Sequence, residues 1–111
     1  MSPFGVMNED RVWKALGDPT RRSLLDDLAI EPQTTGQLVS RHPELCRTAV
    51  MKHLAILVSA GLVVIRREGR QRWNYINPVP IDRICGRWIH SQVRHLTTAV
   101  NQLKTLVENE P

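Results

Sequence analysis

Residues 45–72 read LCRTAVMKHLAILVSAGLVVIRREGRQR, and this stretch decides the fold. Val50, Leu54 and Leu57 recur at helical spacing, with Thr48, Lys52 and Ala55 on the opposite face, so a helix is expected from near Cys46 to about Ser59. Ala60-Gly61 ends it, because glycine takes the left-handed position past a helix C-terminus without steric cost. Two strand-like runs follow, Leu62–Arg67 and Gln71–Asn77, joined through a hairpin turn at Glu68-Gly69 and closed by Pro78 and Pro80. A helix that runs straight into a basic hairpin is the arrangement of a winged helix-turn-helix, and it makes DNA the first partner to consider.

The flanking sequence supports that layout. Upstream, Thr34 or Thr35 caps a short helix, TTGQLVSRH, with Leu38 and Val39 facing inward, and Pro43 makes the turn beside His42. Asp18 and Pro19 are a good N-cap and first helical residue for the helix before it, whose stripe is Leu24, Leu25, Leu28 and Ala29 and whose end is Glu31-Pro32. A first helix is expected from Met7 to Leu16, after a loose end over residues 1–6. Downstream, Ile81 to Glu108 reads as one long helix. Within it Ile89, Val93, Leu96, Val100, Leu103 and Val107 are spaced four, three, four, three, four, an a/d seam over nearly three heptads. The expected class is mainly α with a small β-hairpin: five helices plus a two-stranded wing. Residues 1–111 are expected to form a single winged helix-turn-helix domain, with 81–108 as its C-terminal dimerisation helix.

Composition narrows the function. A chain of 111 residues has room for one modest core but little for an enzyme's cleft and lid. Its formal net charge is +4, and placement matters more than the sum. Arg66, Arg67, Arg70 and Arg72 fall within seven residues opposed only by Glu68, while acids gather at Glu9-Asp10, at Asp26-Asp27 and in the C-terminal tail. Charge segregated onto one element is the footprint of phosphate binding. Arginines at a hairpin tip also guard exposed strands against edge pairing, but four exceed that need. Trp73 and Tyr75 alternate onto one face of the second strand and are expected to pack.

The candidate DNA contacts are therefore Arg47, Thr48, Ala49, Met51 and Lys52 on the recognition helix, and Arg67, Arg70 and Arg72 on the wing. The bland alternative for the helix is a solvated surface face. His53 either donates to a phosphate or packs at the helix flank. The seam either packs across its own domain or forms a dimer interface; its length favours the dimer, completed by Trp13 of the first helix. Cys46 and Cys85 lie far apart with no CxxC spacing, and His90 and His95 point to different faces of one helix, so no metal and no cofactor are expected. No GxSxG, HExxH or phosphate-binding loop is present, and no enzyme is expected. With no leader-like N-terminus and no apolar run near ~20 residues, a cytoplasmic protein without membrane association is expected. Two other functions stay open. One is a sensor in which Cys46, at a helix N-terminus, reports oxidation or a metal binds; the other is a winged-helix module for a protein partner.

The segments ALGDPTRRSLLDDL (15–28) and TTGQLVSRHPELCRTAVMKHLAILVSAGLVVIRREGRQRWNYI (34–76) resemble the ArsR family of bacterial winged-helix repressors over most of the chain. The resemblance implies a homodimer on operator DNA, with the first and last helices at its interface. Four departures stand out. TTGQLVSR lacks the cysteine pair that metal sensors carry in that helix, and His90, His95 and Glu108 do not have the spacing of a metal site in the last helix. The chain is thus similar to the metal-independent branch. Cys46 stands where relatives often carry a capping serine, and Met51 likewise replaces a common serine. No residue pattern names an effector.

Overall fold

The computed structural model describes residues 8–109. The elements run α1 (Glu9–Leu16), α2 (Pro19–Ile30), β1 (Gln33–Thr34), α3 (Thr35–Arg41), α4 (Arg47–Ser59), β2 (Val63–Glu68), β3 (Gln71–Ile76) and α5 (Val79–Glu108). The expected start of the first helix at Met7, and the loose end before it, lie outside the described residues. Two compact units result, one ending at Pro80 and the other beginning at Ile81.

Local chemistry explains several helix ends in the first unit. Asn8 caps α1 by accepting from the Arg11 N–H at 3.2 Å. Asp18 Oδ1 accepts from the Thr20 and Arg21 backbone N–H groups at 2.8 and 3.2 Å, with Pro19 in the first turn. Thr34 is the residue that caps α3. Its Oγ1 accepts from the Gln37 N–H, and Gln37 Oε1 accepts in return from the Thr34 N–H, a reciprocal box. At the end of α4 the Gly61 N–H donates to Val58 O and the Leu62 N–H to Leu57 O, both at 2.9 Å. This is the Schellman arrangement, and Gly61 holds the φ of +78° that it requires.

The core of this unit comes from one stripe of each helix. Val12 and Ala15 of α1, Leu24, Leu25 and Leu28 of α2, Leu38 of α3, and Val50, Leu54 and Leu57 of α4 are buried together with Leu62 and Val63. Burying a Val or Leu side chain contributes about 1.5–3 kcal/mol, against the entropy of ordering the chain. Arg21 and Arg22 add a tie that periodicity alone does not suggest. Arg21 Nε and Nη2 donate to Ala15 O and Lys14 O, and Arg22 Nη1 donates to Leu16 O. The first helix's last carbonyls are thereby satisfied by the first turn of the second.

Two features differ from the sequence expectation. The sheet has three antiparallel strands in the order β1-β3-β2, because Gln33 and Thr34 pair with Asn74 and Trp73. The wing's turn is also shifted by one residue. Glu68 pairs with Gln71, so Gly69 and Arg70 form the two-residue loop, and Gly69 takes the φ of +61° that a first loop position with positive φ demands.

The second unit holds all but the first two residues of α5, a helix 30 residues long and about 45 Å from end to end at 1.5 Å per residue. Its six seam residues are all exposed, from Ile89 at 48% to Val107 at 63%. No helix among the described residues is long and apolar enough to cross a membrane.

Candidate nucleic-acid interface

The surface of α4 divides into strips. Val50, Leu54 and Leu57 face the core. Thr48, Lys52 and Ala55 are exposed on the opposite side. Between them, Arg47 and Met51, one turn apart, line an open cleft of about 500 Å³. The other walls are Thr34, Thr35 and Gly36 at the start of α3, and Arg67, Gly69, Arg70, Gln71 and Arg72 of the wing. Five of the nine sequence-predicted contacts, Arg47, Met51, Arg67, Arg70 and Arg72, thus meet at one cleft, with Thr48 and Lys52 on the adjoining strip. Ala49 is exposed.

His53 points elsewhere. Arg21 Nη1 lies 3.3 Å from His53 Nδ1, and because a guanidinium only donates, Nδ1 accepts and the ring N–H is on Nε2. The half-buried ring bridges α4 to the start of α2.

Strand register explains how the wing carries charge. Val63↔Ile76, Ile65↔Asn74 and Arg67↔Arg72 are cross-strand pairs on one face, so that face changes from apolar to cationic toward the tip. Val64↔Tyr75 and Arg66↔Trp73 lie on the other. Trp73 and Tyr75 share a face, as their spacing predicts, but they are only half-buried. The fully buried residue of β3 is Asn74 between them. Its Nδ2 donates to Gln33 O at 3.2 Å and to Thr35 Oγ1 at 3.1 Å, while its Oδ1 is buried without a hydrogen-bond partner. An unpaired buried acceptor costs about 1–3 kcal/mol, set against the two hydrogen bonds that the amide Nδ2 makes to buried acceptors. Arg67 and Arg72 sit directly opposite each other, an arrangement that also costs stability in a free sheet.

His42 is likewise more than a turn residue. It is buried at the end of α3, with Nε2 at 2.8 Å from Asp27 Oδ2 and Nδ1 at 3.3 Å from Glu44 Oε1, tying α2 to the helix-turn-helix turn. Asp18 is held below its ordinary carboxyl value of 3.8, chiefly by the Arg21 backbone N–H, against a smaller push from desolvation and with help from the Thr20 N–H. Cys46, the N-cap of α4, is exposed and makes no side-chain cap bond, unlike Asp18 and Thr34 at the helices before it. Among the described residues no three His, Cys, Asp or Glu side chains converge as metal ligands would.

The residues that sequence reasoning missed are Thr34, Thr35, Gly36, Gly69 and Gln71 at the cleft and Asn74 beneath it. The TTGQ capping signature was visible in the sequence; nothing local marks Asn74.

A helix-turn-helix whose second helix borders an arginine-rich wing defines a winged helix-turn-helix DNA-binding protein. Residues 16–66 match a family model described as a helix-turn-helix domain. The chain is 36% identical over 88 residues, 74% of its length and 96% of the relative's, to the uncharacterised HTH-type transcriptional regulator YuzN of Bacillus subtilis. The crystal structure of an ArsR family transcriptional regulator superposes with a TM-score of 0.73 at 26% identity, covering 81% of this chain and 98% of that one. The solution structure of Mb0332 from Mycobacterium bovis, described as a homodimeric winged helix-turn-helix DNA-binding domain and a possible ArsR-family regulator, aligns with a TM-score of 0.61 at 29% identity, over 78% of this chain and 80% of that one. The chain belongs to the ArsR family of winged-helix transcriptional regulators.

Proposed function

We propose that this regulator acts as a homodimer in the cytoplasm, recognises an inverted-repeat operator and represses transcription by occupying it, with no catalytic step. The observation that carries the DNA part is the Arg67–Arg72 pair facing the cleft beside Arg47. Like charges held opposite one another oppose folding, and a polyphosphate backbone relieves them. In this reading Arg47, Thr48, Ala49, Met51 and Lys52 approach base edges in the major groove, while His53 Nε2–H reaches a phosphate. Arg67, Arg70 and Arg72 hold phosphates or the flanking minor groove.

The dimer is supported by the exposed row on α5, which a single copy leaves in water, and by the homodimeric relative of like fold. Trp13, 44% exposed on α1, joins the interface in this proposal. Two copies related by a two-fold axis would place their recognition helices about one helical turn apart, roughly 34 Å, on the DNA.

Selection of bound fragments from the organism's own DNA tests this directly. An enriched inverted repeat with half-sites one turn apart is the expected result. Enrichment of a single unrepeated site overturns the dimeric reading, and no enrichment overturns DNA recognition itself.

A further inference from the structure

We infer that Asn74 is the positioning residue that sets the wing's arginines, the Arg67–Arg72 pair and Arg70 in the loop just beyond it, at their working distance from the recognition helix. The inference rests on the reading of the cleft as a DNA site. Asn74 occupies the middle of β3, opposite Ile65 of β2 on one side and Gln33 of β1 on the other. Its amide reaches out of the sheet. Nδ2 donates to the Gln33 carbonyl and to the Thr35 hydroxyl, which belongs to the first residue of α3, and lies 3.5 Å from the Arg72 carbonyl.

One buried amide therefore touches three parts of the cleft wall: the strand carrying Arg72, the short strand β1, and the start of α3. Thr34, beside Thr35, holds α3 in register through its box with Gln37, and α3 packs on α4. β2 of the wing also packs directly on α4, and a second chain of contacts, from β3 through α3 to the recognition helix, runs through this side chain. Arg72 is two residues from Asn74 on the same face, and Arg67 is opposite Arg72. A change in how Asn74 is seated is delivered to both arginines, while the β2–β3 ladder that forms the hairpin stays intact. A side chain chosen for packing alone would not leave Oδ1 buried and unpartnered; the fixed direction of the Nδ2 bonds is what this position supplies.

A double-mutant cycle read through salt dependence tests the inference, with a mixed-sequence DNA duplex as probe. In the parent chain, Arg70→Ala lowers affinity and reduces the slope of log affinity against log salt by about 0.9, the share of one neutralised phosphate. In an Asn74→Ala background the slope is already reduced, and Arg70→Ala changes it little further. Thr35→Val, which removes one acceptor of the Asn74 amide and spares the asparagine, reproduces the effect in part; Thr35→Ser restores the parent behaviour. Thermal melting identifies the folded variants, and Thr35→Val carries the test if Asn74→Ala does not fold. Leu57→Val, a core change that lowers the melting temperature, retains the whole Arg70 effect. If Asn74→Ala and Thr35→Val keep the full Arg70 effect, Asn74 only fills the fold and the inference is overturned. If Arg70→Ala alters nothing in the parent chain, the DNA reading of the wing falls first and the inference with it.

Discussion

The cleft beside α4 and the seam along α5 are both exposed, and they are incomplete in opposite ways. The cleft gathers Arg47, Arg67, Arg70 and Arg72 around polar and glycine backbone, so its unmet need is negative charge. The seam presents Ile89, Val93, Leu96, Val100, Leu103 and Val107 to water, so its unmet need is apolar area. The difference teaches which partner each surface fits. Salt weakens what binds at the first and leaves what binds at the second nearly untouched, since hydrophobic association lacks the counterion term.

That contrast can be broken at either end. The largest effect is expected from Val100→Glu, which places a charge in the seam. Operator affinity should fall by about 10²–10⁴-fold as two linked half-site contacts become one, while circular dichroism stays helical and sedimentation shows a monomer. A dimer that survives this substitution removes α5 from the interface. Next come Lys52→Ala and Thr48→Ala, each expected to cost about 1–3 kcal/mol of discrimination between operator and random duplex in competition binding. Equal weakening on both duplexes would move these residues from base reading to backbone contact. Arg70→Ala should weaken both duplexes alike, and its reduced salt slope should appear without any change in the sedimentation of the dimer. The smallest effect concerns neither surface. Because the folded-state value of Asp18 is depressed, its stabilisation is present above the ordinary value of 3.8 and is lost as pH falls through the lower folded value. Urea unfolding should therefore show the parent losing more stability below pH about 4 than Asp18→Asn, which caps without titrating; parallel curves would remove Asp18 from the acid response.

Much of this was legible in the sequence because it is local. Asp18-Pro19, the Ala60-Gly61 stop and the Val50, Leu54, Leu57 stripe each depend on residues within one or two turns, and each element stands within a residue or two of its expected place. The third strand was not legible, because two residues carry no alternation to read. Asn74 escaped notice for a related reason. Trp73 and Tyr75 look like the packing face by residue type, whereas the register with β1 and β2 turns the intervening position inward. The Arg21 and Arg22 bonds and the His42–Asp27 bond span six, seven and fifteen residues, beyond any local pattern. The candidate site followed the same rule. The arginine cluster was visible as composition, but that α3 forms a wall of the same cleft required the fold.

The partition of α4 into strips has a consequence for how such a regulator changes over time. Thr48, Lys52 and Ala55 project away from the domain, opposite the Val50, Leu54 and Leu57 side that anchors the helix. Under the proposed DNA reading, substitution on the outer strip would retarget the protein to a different set of genes at little cost to its folding. After gene duplication, two copies could diverge in vocabulary while keeping the same grammar, and an engineer seeking a new address would rewrite Thr48 and Lys52 first.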